Sequence, residues 1–104
     1  MTRPIAPPQP QVYVHGAIRP GQVAYARRKV TAALRHAPRP VLFVRMSLNR
    51  SAARGVDRPY GVAIHASLSG VDLHAAADAA TLTEAVELAR RRLETQLQRA
   101  NRWG

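Results

Sequence analysis

Apolar and polar or small residues alternate from Gly61 to Leu68 and again from Val71 to Ala77, with Ser69-Gly70 between the two runs. Alternation marks a strand with one buried face, and a two-residue connection ending in glycine makes a tight hairpin turn. Such a turn predicts the register. Leu68 falls opposite Val71, Ala66 opposite Leu73, Ile64 opposite Ala75 and Val62 opposite Ala77, while Ser67, His65 and Ala63 meet Asp72, His74 and Ala76 on the other face. A slip of one residue would mix the two faces, so the pattern selects one pairing.

After Asp78 the period becomes helical. Thr81 and Glu84 have the spacing of a capping box, in which a hydroxyl and a carboxylate satisfy backbone N–H groups of the first turn. Leu82, Val86, Ala89, Leu93, Leu97 and Ala100 then share one stripe of a helix of about five turns. Upstream, Gln11–His15 reads as a short strand with Val12 and Val14 on one face and Tyr13 and His15 on the other. Arg19-Pro20-Gly21 is expected to turn the chain into a helix over Gln22–His36, with Val23, Ala26, Val30, Ala33 and Ala37 inward. Pro38 and Pro40 end that helix. A strand over Val41–Leu48 follows, with Leu42, Val44, Met46 and Leu48 inward, and Asn49–Pro59 is a polar loop carrying Arg50, Arg54 and Arg58.

The order strand, helix, three strands, helix implies a right-handed crossover between two parallel strands, followed by an antiparallel meander. Each strand has one strongly apolar face, which places both helices on that face and leaves the other open. The predicted fold class is α+β: a two-layer β-α-β-β-β-α domain with a four-stranded mixed sheet. Residues 1–10, with four prolines, read as a flexible arm, and residues 11–104 as one domain. Tyr13, His15, Phe43, Arg45, Ser47, His65 and His74 are expected on the open face.

Charge changes the picture more than composition does. The 104 residues carry 16 Lys and Arg against 6 Asp and Glu, a formal net charge of +10, and Lys29 is the one lysine among them. A polyanion is the partner that balance suits, and arginine grips phosphate with a planar fork. RNA or DNA fits better than a membrane surface, because neither helix is apolar enough to insert. The absence of cysteine removes disulfides, thiol nucleophiles and cysteine-based zinc sites. Met1-Thr-Arg-Pro lacks the apolar core of a secretory signal, so a cytoplasmic protein is expected. His65 and His74 face each other on the hairpin, but no third ligand accompanies them, and they read as exposed imidazoles rather than a metal site. No catalytic constellation, cofactor motif or metal set stands out, so the chain reads as a binding protein and not an enzyme.

At the level of particular residues the chain resembles the ribosome hibernation-promoting factors, also called protein Y or sigma-modulation proteins, in their short single-domain form. Within Leu82–Arg99, Ala85, Leu93, Gln96 and Leu97 match the second helix of that family outright, and Val86, Glu87, Arg92 and Arg99 match in kind. Gln11-Val-Tyr-Val-His-Gly16 is similar to its opening strand, and Tyr25 with Lys29 fits its first helix. Thr83 stands where the family carries tyrosine, and Arg27 and Arg28 where it carries carboxylates. The second domain of the long members, which pairs two ribosomes, has no counterpart in this sequence. The resemblance implies binding to RNA of the small ribosomal subunit and inhibition of translation by occlusion, as a stress response. Carried over by position, it implies contacts from Lys29, Arg92 and Arg99. Charge and helical spacing add Arg27, Arg28, Arg35, Arg90, Arg91 and Arg102.

Two other readings stay open on the residues alone. In one, the open sheet face with Tyr13 and Phe43 binds a protein partner or a second copy of the chain as a homodimer. In the other, the chain is a general double-stranded nucleic-acid binder, although double-stranded-RNA-binding domains begin with a helix and this chain begins with a strand.

Overall fold

The hairpin forms in the register the alternation predicts, from Leu68 opposite Val71 to Val62 opposite Ala77, and continues to Tyr60 opposite Ala79. Gly70 takes φ +87° in its turn, a conformation that side-chain-bearing residues resist. The computed structural model describes residues 8–102, with side chains through residue 100. Most of the arm expected over residues 1–10 therefore lies outside the described residues.

Six elements follow in order: β1 (Gln11–His15), α1 (Pro20–Leu34), β2 (Val41–Arg50), β3 (Tyr60–Leu68), β4 (Val71–Ala79) and α2 (Leu82–Arg102). The sheet order is β1-β2-β3-β4, with β1 parallel to β2 and the other neighbours antiparallel. This is the mixed four-stranded α+β architecture the sequence predicts. The inward residues of β2, β3 and β4 form one buried cluster with Ala26, Val30, Ala33 and Leu34 of α1 and Leu82, Val86, Leu93 and Leu97 of α2. Both helices therefore cover the same face of the sheet.

Two features of the helical layer come directly from residue size. Ala75, Ala77 and Ala79 of β4 and Ala85 and Ala89 of α2 are all buried. Small residues on both sides let α2 approach β4 closely. At the N-terminus of α2 the Glu84 N–H donates to Thr81 Oγ1 at 3.2 Å, the hydroxyl half of the expected capping box.

The structure corrects several local expectations, among them that α1 ends at Leu34 and not His36, and that Asn49 and Arg50 extend β2 instead of opening the loop. Helix α1 starts at Pro20 and not at Gln22, because proline at the first helical position already has the helical φ and lacks an N–H that would go unpaired there anyway. Gln22 instead turns its side chain back to accept the Arg19 N–H at 2.9 Å. Leu42 is not inward. The register between β2 and β3 shifts between Val41 and Phe43, so Leu42 is an extra residue at a bulge and remains 61% exposed. Val14 shares a strand with Val12, but β1 lies at the sheet margin, and Val12 is half-buried against the core while Val14 is exposed.

Candidate nucleic-acid interface

Cations on a helix bind a polyanion only where their charge is not already matched, so the local partners of each arginine decide its role. The two helices run side by side, and their seam holds a short ion-pair network. Glu87 of α2 accepts from Arg90 at 2.7 Å and from the Tyr25 hydroxyl at 3.2 Å, and it lies 3.4 Å from Lys29 Nζ. Arg90 also donates to Glu94 at 2.6 Å, one helical turn further on. Lys29 and Arg90 are thus balanced by Glu87 and Glu94, and the seam is close to neutral. The Arg90 hydrogen bond, reinforced by Lys29, outweighs the desolvation of Glu87 and holds its carboxyl near 2, against an ordinary value of 4.5. The reciprocal contact to Glu87 raises the pKa of Arg90.

A carboxyl with a lowered folded-state pKa stabilises the fold above its unfolded value, and that contribution disappears as pH falls toward the folded one. Glu87 should therefore stabilise the protein above about pH 4.5 and cease to do so near pH 2. Because the network borders solvent, the contribution is expected to be on the order of 1 kcal/mol. Thermal melts of the protein and its Glu87→Gln variant should differ at pH 6 and converge as the pH approaches 2. A gap of constant size would contradict this role.

Arg92 has a structural contact of its own. It donates to the carbonyl oxygen of Ala76 on the outer edge of β4. One turn on, the Gln96 amide closes two bonds with the same edge, accepting the His74 N–H at 3.0 Å and donating to the His74 carbonyl. The spacing explains the match: four helical residues rise about 6 Å, close to the advance of two strand residues. Side chains of α2 thereby occupy backbone groups that an edge strand would otherwise present to another chain.

The remaining helix cations sort by exposure. Arg28 of α1, Arg35 at its C-terminal cap, and Arg91 and Arg99 of α2 are exposed, and none of the four has a side-chain partner among the described residues. Arg28 and Arg35 stand two turns apart on one outer stripe, and Arg91 and Arg99 lie on the outer side of α2. Arg27 is half-buried on the flank of α1 away from Lys29, with its Nε shielded from solvent and unpaired among the described residues. Arg102 is the last residue of α2, and its side chain lies outside the described set. The structure thus presents arginines on both sides of a neutral seam, and the cations named from the sequence fall into paired and unpaired groups.

The opposite face of the sheet has a different character. Its central row contains Arg45, His65 and His74, opposite one another across β2, β3 and β4. The two imidazoles stack at 4.2 Å, the Phe43 ring meets His65 edge-on at 5.0 Å, and the Arg45 guanidinium covers Phe43 at 4.8 Å. Stacked rings do not direct two ring nitrogens at one point between them, and no group of three potential metal ligands occurs among the described residues. Asp72 and Asp78 belong to this face as well and offset the charge of Arg45. No helix among the described residues is long and apolar enough to cross a membrane.

No model of a known protein family matches the chain, and a search of characterised protein sequences finds no relative. Solved structures do share the fold. The ribosomal subunit interface protein of Coxiella burnetii superposes with a TM-score of 0.70 at 18% identity, over 88% of this chain and 94% of that one. The N-terminal domain of protein Y from Thermus thermophilus does so with a TM-score of 0.68 at 20% identity, over 86% and 94% of the respective chains. At such identities the likeness is one of fold.

Proposed function

We propose that this protein is a ribosome-associated hibernation factor of the protein Y kind, acting in the cytoplasm by occupying RNA of the small ribosomal subunit and so inhibiting translation. The observation that carries this reading is the exposed set Arg28, Arg35, Arg91 and Arg99, unpaired among the described residues, on the helical layer of a fold shared with a ribosomal subunit interface protein. The chain's excess of positive charge and its arginine bias point the same way.

Mechanistically the protein needs no reaction. Arginines on the helices neutralise phosphates and release counterions, which supplies affinity. The rigid spacing of the two helices, set by the Glu87 network and the shared core, selects a structured RNA surface by its shape. Lys29, Arg90 and Arg92 hold the seam and the edge of β4, so in this reading they shape the surface more than they grip RNA. Inhibition follows because a bound domain excludes the molecules that translation passes through the same place.

A cell-free translation system tests the proposal. Added protein should inhibit synthesis steeply as it approaches the ribosome concentration, and excess free RNA duplex should not relieve the inhibition. Full relief by an unrelated duplex would assign the protein to general double-stranded nucleic-acid binding instead.

A further inference from the structure

The two edges of the sheet are treated differently. On β4, Gln96 and Arg92 occupy backbone groups of His74 and Ala76. On β1, β2 pairs with one side only, and among the described residues no strand lies on the other. Apart from its shortness, the edge lacks the usual safeguards: Gln11-Val-Tyr-Val-His15 contains no proline, lysine or carboxylate. Valine and tyrosine are strong strand formers. Tyr13 is 51% exposed and Val14 42% exposed, and the bulged Leu42 of β2 adds apolar surface beyond the start of β1.

We propose that β1 is a docking edge for β1 of a second copy of this chain, paired antiparallel about a two-fold axis at Tyr13. The strand's own sequence argues for this occupant. Centred on Tyr13, antiparallel self-pairing sets Val12 against Val14 of the second copy and Gln11 against its His15, with no like-charged pair anywhere along the edge. Any other register shortens the pairing. The geometry is isologous and closed, so it stops at a dimer, because the far edge of each protomer is already covered by α2. The two-fold axis runs perpendicular to the sheet, giving a continuous eight-stranded sheet with all four helices on one face. The open sheet face is a weaker place for a second copy, since Phe43, His65 and His74 already pack on one another there.

A five-residue edge forms few hydrogen bonds, so the dimer should be weak, with a dissociation constant on the order of 10 to 100 µM. Sedimentation equilibrium from about 5 to about 500 µM brackets that range. The protein should pass from monomer to dimer across it, and Tyr13→Lys, which sets two ammonium groups opposite each other at the axis, should remain monomeric with unchanged circular dichroism. A second variant uses the lack of native cysteine. Under mild oxidation Tyr13→Cys should form a disulfide-linked dimer far faster than Ala24→Cys, whose position is exposed on α1. A monomer at every concentration, a dimer indifferent to Tyr13→Lys, or equal cross-linking by the two cysteine variants would overturn the proposal. So would a monomer that dimerises only after residues 1–7 are deleted, which would mean that the chain's own leading residues hold the edge.

Discussion

Replacing Arg28, Arg35, Arg91 and Arg99 together with alanine should abolish most RNA binding at physiological salt while leaving the fold intact. These four side chains are exposed and unpaired among the described residues, so their removal breaks no side-chain hydrogen bond or ion pair seen there. If each contacts one phosphate, the slope of log affinity against log salt should fall by roughly 0.7 to 0.9 per residue, about 3 in all. Affinity should fall at least about a hundredfold at 150 mM salt, since each lost contact removes a share of the counterion release. The matching control is Lys29→Ala with Arg92→Ala, at positions that already have partners within the protein. That pair should change the slope less and lower thermal stability more. Equal slopes for the quadruple variant and the native protein would place the RNA contacts elsewhere, with the arginines of the Ser51–Pro59 loop the next to test.

The second large effect concerns the core. Leu93 lies at the centre of the α2 stripe, fully buried among residues of both helices and the sheet. Leu93→Ala removes three carbon atoms from a packed interior and leaves a cavity, a change that usually costs about 2 to 5 kcal/mol. A domain of this size typically has about 5 to 15 kcal/mol in total, so the variant should lie close to the limit of folding. Urea unfolding should show a midpoint well below that of the native protein with a similar slope. A loss under about 1 kcal/mol would mean that α2 is held mainly by its polar contacts to β4 and not by its apolar stripe.

Much of the architecture was legible in the chain because period and turn chemistry agree. Two alternating runs around Ser69-Gly70 determine a register, and the shift from period two to a helical stripe after Asp78 marks the change of element. Leu42 was misjudged because a bulge adds one residue to β2, and alternation alone does not show where a strand takes in an extra residue. The candidate surface was legible only as a list of cations. Whether an arginine is available depends on what approaches it in three dimensions. Glu87 and Glu94 flank Arg90 at helical spacing, so that pairing was visible in principle. The contacts of Lys29 with Glu87, of Arg92 with Ala76 and of Gln96 with His74 join separate elements: the first depends on how α1 lies beside α2, the other two on how closely alanine-lined α2 and β4 approach. No local spacing encodes them.

The most direct test of the central claim is co-sedimentation of the protein with purified ribosomes and separated subunits across a salt series. The proposed function expects saturation near one copy per small subunit, no comparable binding to the large subunit, and retention at physiological salt. Binding that never saturates, does not distinguish the subunits and vanishes at modest salt would contradict it, showing only the adhesion of a strongly cationic protein to RNA.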